Sequence, residues 1–254
     1  MGAGTPPPAN VRMVVRARTT CAATKSRLLV EIMSHDDPRP PRLSPTPELL
    51  GGSLCLDFAN TVDAGRTASP RDRLHDYADL VTWARHAGMV AADQEAALRA
   101  SARADPAPAG VAFKRAIELR EAIYRIFSAL ADGGDPSRAD LAALQRRYVD
   151  ALAAARLRRR GAAFAWSWDD APAEITAVAP DRILWPIVQS AVDLLTSPEL
   201  GRVKACASGT CRWLFVDASK NAARRWCSMA DCGSRAKMRR QYARRKAARA
   251  VIRQ

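Results

Sequence analysis

A mainly α-helical body with one small β element, followed by a compact cysteine-bearing module at the C-terminal end, is the architecture that three observations predict. Between residues 46 and 200 apolar side chains recur at three- and four-residue steps, the spacing of one helix face. A single stretch, "AAFAWSWDD", instead alternates, with Phe164, Trp166 and Trp168 on one side, as a strand does. Near the end of the chain Cys206, Cys211, Cys227 and Cys232 form two close pairs. A chain of 254 residues has room for one large domain plus a small module, and a 48% hydrophobic content is enough for an ordinary core.

Residues 1–45 form a Pro/Arg-rich extension ("GTPPPAN", "DPRPPRLSPTP") without periodicity. It is expected to be disordered, with Met33 as the candidate true start. The helical pattern begins after Pro47. "GGSLCLDFANTVDA" places Leu54, Phe58 and Val62 on one face, and "RLHDYADLVTWARHAGMV" does the same with Leu74, Tyr77, Leu80, Val81 and Ala84, with Gly88 as the C-cap. A short helix follows in "AADQEAALRASAR". A long one in "AGVAFKRAIELREAIYRIFSALADG" stops at Gly133 and Gly134, and Ser137 N-caps the next, "SRADLAALQRRYVDALAAARL". After the alternating stretch, "ILWPIVQSAVDLLTS" returns to helix. The count is about six helices around one core, without internal repeats.

The net charge of +14 is unevenly placed. Residues 202–254 carry fifteen lysines and arginines against two acids, whereas residues 45–201 carry eighteen against twenty-one. A mildly acidic body joined to a strongly basic tail points to a polyanion-binding module, against the alternative of a solvated basic tail. No run of eighteen apolar residues exists to span a membrane, and the N-terminus has no apolar stretch long enough for a secretory signal. The expected compartment is therefore the cytoplasm, where clustered cysteines bind metal more often than they form disulfides.

The cysteine spacing is C-x4-C, fifteen residues, then C-x4-C. Two close pairs separated by a spacer that folds back suit tetrahedral zinc. All three histidines, His35, His75 and His86, lie far upstream, so the ligands are Cys206, Cys211, Cys227 and Cys232 around one structural Zn2+. Disulfides would need an oxidising compartment, and a nucleophilic cysteine would need a nearby base. A redox switch stays open, because exposed zinc thiolates oxidise. "RWLFVD" after Cys211 has strand propensity, "DASKNAARRW" returns the chain, Gly233 permits a tight turn and Ser234 caps a final helix over about 234–251. This is a β-hairpin followed by a basic helix, similar to a treble clef. The helix carries eight cations and no acid over roughly 27 Å, with a ninth, Arg253, just beyond it. A polyanion relieves the mutual repulsion of such a row, and six phosphate contacts would give a log K against log salt slope of about −5.

These residues resemble a known family. "CASGTCRWLFVDASKNAARRWCSMADCGSRAK" resembles the CGNR zinc finger, and "GGSLCLDFANTVD" with "DLVTWARHAGMV" resembles the ABATE domain that precedes it, together covering roughly residues 46–250. The resemblance implies a bacterial stress-induced transcription regulator, with DNA binding by residues 201–254 and a regulatory, ligand-sensing or assembly role for residues 46–200. One departure is Ser234, which stands where the family name has Asn.

Within the basic module, Arg224, Arg225, Arg235, Lys237, Arg239, Arg240, Arg244 and Arg245 are the candidate nucleic-acid contacts. In the body, Asp57, Asn60 and Thr61 fall at i, i+3 and i+4 on an otherwise apolar face. They are candidate ligand-binding residues, with Arg66 and Arg73 as counter-charges, or else groups that satisfy buried backbone. Trp83, Trp166, Trp168 and Trp185 form either an aromatic pocket or core. Cys55 reads as a small buried hydrophobe. The cluster Arg156–Arg160 reads as a solvated helix end or an extension of the phosphate track. The expected function is a cytoplasmic DNA-binding regulator, possible as a homodimer. The alternative is an RNA-binding or ribosome-associated zinc module. An enzyme is not expected, because no paired His/carboxylate or Cys/His arrangement is present.

Overall fold

The computed structural model describes residues 43–63, 70–168 and 179–251, with side chains up to residue 246. Residues 1–42, including Met33, and Arg66 lie outside the described residues. The body is helical: α1 (Leu54–Ala59), α2 (Tyr77–His86), α3 (Ala92–Ala104), α4 (Pro106–Ala131), α5 (Arg138–Ala154) and α6 (Leu184–Leu195). Two hairpins interrupt it, β1 (Val62–Asp63) with β2 (Arg71–Asp72), and β3 (Arg156–Arg160) with β4 (Ala163–Ser167). The C-terminal module contributes β5 (Val203–Ala205), β6 (Leu214–Val216) and α7 (Ser234–Val251). Among the described residues no helix is long and apolar enough to cross a membrane.

α4 is the spine. Asp105 caps its start by accepting the Ala107 N–H, with Pro106 at the first helical position, where the missing donor costs nothing. Its inward face runs from Ala109, Ala112 and Ala116 to Leu119, Ile123, Ile126 and Phe127. Small residues at one end admit close neighbours, and α1, α2, α3 and α5 all pack on it. Gly133, at φ +77°, ends it as expected. Ser137 caps α5 by accepting the Asp140 N–H, again as the sequence predicts.

Three local expectations need correction. Val62 does not continue the first helix. α1 is only six residues long, and Val62 pairs with Asp72 in the β1–β2 hairpin. Buried Arg120 secures that hairpin with a bidentate bond to Asp72 and a third bond to Thr61. Against the desolvation of its carboxylate, Arg120 holds Asp72 below the ordinary acid range. Arg156–Arg160 is not a helix end: α5 stops at Ala154, and these residues form β3, paired antiparallel with the alternating stretch. The four tryptophans do not share a pocket. Trp83 is fully buried with its ring centroid 5.0 Å from that of Phe58, Trp168 lies 6.5 Å from Trp185, and Trp166 is exposed.

The strands of the C-terminal module are part of the body's core. Leu214, Val216 and Val203 belong to the same buried cluster as Phe58, Trp83 and Ile123. Phe215, between them on β6, points the other way into a second cluster with Cys206, Cys227 and Cys232. The period-two alternation of a strand therefore gives one face to the body and one to the cysteines.

Candidate metal centre and nucleic-acid interface

Cys206 and Cys211 sit on the connection from β5 to β6, where the Cys206 N–H donates to the Trp213 carbonyl at 2.8 Å and the Cys211 N–H to Ser208 at 3.0 Å. Arg212 completes this turn at φ +58°, a left-handed conformation held by its bond to Asp132 at the end of α4. The chain returns around Asp217, a fully buried carboxylate that accepts from Lys204, the Ser219 hydroxyl and N–H, and the Arg224 N–H. Desolvation opposes its charge, but Lys204 and Ser219 hold it well below the ordinary carboxylate range. Sequence reasoning passed over Asp217. Its signal was being one of only two acids in the basic tail.

Cys227 and Cys232 come from the start of the last helix. Ser228 caps it by accepting the Asp231 N–H, and a π-helical turn, Met229–Gly233, runs directly into α7. The expectation that Ser234 caps the helix after a turn at Gly233 is thus corrected. Ser234 is already helical, and its hydroxyl donates to the Met229 carbonyl. Gly233 packs against Met229, whose sulfur a Cβ would meet at 2.9 Å, a clash that the exposed methionine side chain relieves by shifting.

The four Sγ atoms all lie within 4.8 Å of one another, and the Cys211–Cys227 and Cys227–Cys232 separations are both 3.6 Å. A zinc–sulfur distance of about 2.3 Å gives a tetrahedral edge of about 3.8 Å, so the donor set fits the ion. Crowding splits the thiol acidities. Cys206 is pulled down because Cys211 and Cys227 donate to its sulfur, while Cys211 and Cys227 are pushed up. A divalent cation is what allows four thiolates to coexist at this spacing. Arg235 donates to Cys232 Sγ at 3.2 Å and adds charge from outside the ligand set. The four cysteines hold one structural zinc ion.

Asp57, Asn60 and Thr61 lie on one face of α1 and its C-cap, as their spacing implied, but that face meets protein. Asn60 donates to the Leu214 carbonyl at 2.8 Å and accepts the Leu214 N–H at 2.9 Å. Asp57 accepts the Gly51 N–H at 2.7 Å, and the Gly51 carbonyl accepts the Val216 N–H. Thr61 donates to Phe58 and accepts from Arg120. The ligand-pocket expectation is therefore replaced by a structural one: two of these groups hold β6 and the third supports the adjoining hairpin. A polar set at helical spacing looks the same in sequence whether it faces a ligand or a neighbouring strand. Further bonds run from the Trp213 indole to the Val62 carbonyl and from Arg224 to the Leu50 carbonyl. Buried Cys55, its thiol pushed up to about 11 by desolvation, is the inert core residue expected.

The basic residues divide. Arg224 lies over the Phe215 ring at 4.2 Å and donates to the carbonyls of Leu50, Trp226 and Cys227, so it serves the module's interior. Arg225 is exposed beside Trp226. Arg235, Lys237, Arg239, Arg240, Arg244, Arg245 and Lys246 are all exposed on α7. Arg73 is paired with Asp63.

The chain matches the family named ABATE, described as "Putative stress-induced transcription regulator", over residues 52–198, and the CGNR zinc finger over residues 202–245. No curated protein matches it closely enough to be named alongside. By sequence, and by the four-cysteine centre built onto its helical core, the chain belongs to the ABATE family and carries a CGNR zinc finger.

Proposed function

We propose that this protein is a cytoplasmic transcription regulator that binds DNA through α7, with the helical body fixing the direction in which that helix points. The observation that carries the reading is the row of seven exposed cations from Arg235 to Lys246, without an acid, on a helix that continues a π turn holding the zinc ligand Cys232, with Cys227 just before its cap. A helix of this length fits the major groove, and its cations suit phosphates along the groove edges. No catalytic role is assigned. Asp57, Asn60 and Thr61 are engaged within the protein, so a ligand acting on the body would have to bind elsewhere. Selection from a random duplex library with full-length, zinc-loaded protein is the test. An enriched motif supports sequence reading, and its symmetry reports monomer or homodimer. Preference for a matched RNA duplex over DNA would instead favour the RNA-binding alternative.

A further inference from the structure

The β3–β4 hairpin presents side chains that the core does not use. Its ten paired residues are exposed except Ser167. The register places Leu157 opposite Trp166 and Arg159 opposite Phe164, so these four share one face, because cross-strand partners project to the same side. Leu157, Phe164 and Trp166 are 57%, 64% and 51% exposed. Two aromatic rings and a leucine in contact with water on one arm form a patch, unlike the scattered apolar residues of an ordinary surface. Arg156, Arg158 and Arg160 line the opposite face. Arg158 and Arg160 make contacts of their own. Among the described residues, Arg156 and Arg159 bond backbone carbonyls, those of Ala153, Ala155 and Gly161, rather than carboxylates. No acid occurs from residue 156 to 168.

We propose that this hairpin is a second nucleic-acid contact, in which Phe164 and Trp166 stack on unpaired bases while Arg159, on the same face, holds an adjoining phosphate and Arg156, on the other face, adds to the positive field. Flat rings gain little from phosphate but stack on any base, and cations beside them supply backbone attraction. A second copy of the chain is a poorer occupant, because apposing two such arms brings arginine against arginine. The hairpin thus adds affinity for unstacked nucleic acid to the groove contacts of α7. The inference rests on the reading that this protein binds nucleic acid, but not on which element dominates.

The test uses full-length, zinc-loaded protein and fluorescence anisotropy with three labelled probes: a duplex, the same duplex with an unpaired bulge, and a single strand. F164A/W166A should weaken binding to the bulged and single-stranded probes by about five- to a hundredfold per ring, with zinc content and melting temperature unchanged. R156A/R159A should weaken all three probes and flatten their salt dependence. Aromatic replacement in F164Y/W166F should restore the affinity lost in the alanine variant. Wild-type affinity of F164A/W166A for every probe overturns the proposal. So does a change in sedimentation of that variant without a change in affinity, which would assign the face to a second copy. R239A/R240A/R244A/R245A separates the two readings. If it alone loses affinity, only the hairpin proposal falls. If only the hairpin variants lose affinity, the hairpin proposal stands and binding through α7 falls.

Discussion

Within one zinc finger, β6 and α7 differ in almost every physical respect. All three residues of β6 are buried, two of them in the body's core, and the Asn60 amide pairs with both backbone groups of Leu214. On α7 every side chain from Lys237 to Lys246 is exposed, and with Arg235 seven exposed cations stand there without an acid. Each end contributes cysteines to the same metal centre. The zinc therefore joins an element whose orientation is fixed by packing to one whose stability comes from little besides its first turn and the ion. In an isolated zinc finger the metal folds a self-contained module. Here it fastens a charged helix to a core of ordinary size, so the direction of α7 is inherited from the body.

The largest effect tests whether metal and body are one cooperative unit. Cys227→Ser should abolish zinc binding and lower the stability of the whole chain by about 5 kcal/mol or more, a drop of roughly 10–20 °C in a single calorimetric transition. A body that melts unchanged would make the finger an independent module and break the comparison.

Asn60→Ala is next. Leaving the Leu214 N–H and carbonyl unpaired in a buried site should cost about 2–4 kcal/mol in urea unfolding, with zinc still bound by the folded fraction. An effect below about 0.5 kcal/mol would mean that β6 is held by apolar packing alone.

Asp57 sharpens the buried side through pH. Burial outweighs the Gly51 N–H bond and pushes its carboxyl up to about 6 from 3.8. The native state therefore binds this proton more tightly than the unfolded chain, and its contribution to stability falls as pH rises from about 4 to about 6, by roughly 2–3 kcal/mol. Asp57→Asn, which keeps an oxygen for Gly51, should lack that decline when unfolding is measured from pH 4 to pH 7. Parallel wild-type and variant curves would count against the assignment.

The smallest stability effect is expected on α7. R239A/R240A/R244A/R245A should change unfolding free energy by no more than about 0.5 kcal/mol, since those side chains are exposed. The same variant should flatten the log K against log salt slope for DNA by about 3 to 4. A large loss of stability would show that the helix is packed in solution and would remove the contrast with β6.

Much of this was determined by the sequence alone, wherever a local rule admits one reading. Two C-x4-C pairs without a nearby histidine select a four-thiolate zinc site through ligand chemistry. Gly133 and Ser137 mark helix ends through backbone sterics and a hydroxyl acceptor. The cation row of α7 is a matter of composition. Tertiary structure decided what depends on who the neighbour is. Asp57 and Asn60 hold β6 because the folded chain places that strand against their helix face, more than 150 residues away in sequence. Arg224 turned inward because Phe215 and three carbonyls lie beside it. Arg156–Arg160 became a strand because the alternating stretch after it supplied a partner, overriding the helix that precedes it. Spacing states which side chains share a face; only packing states what that face meets.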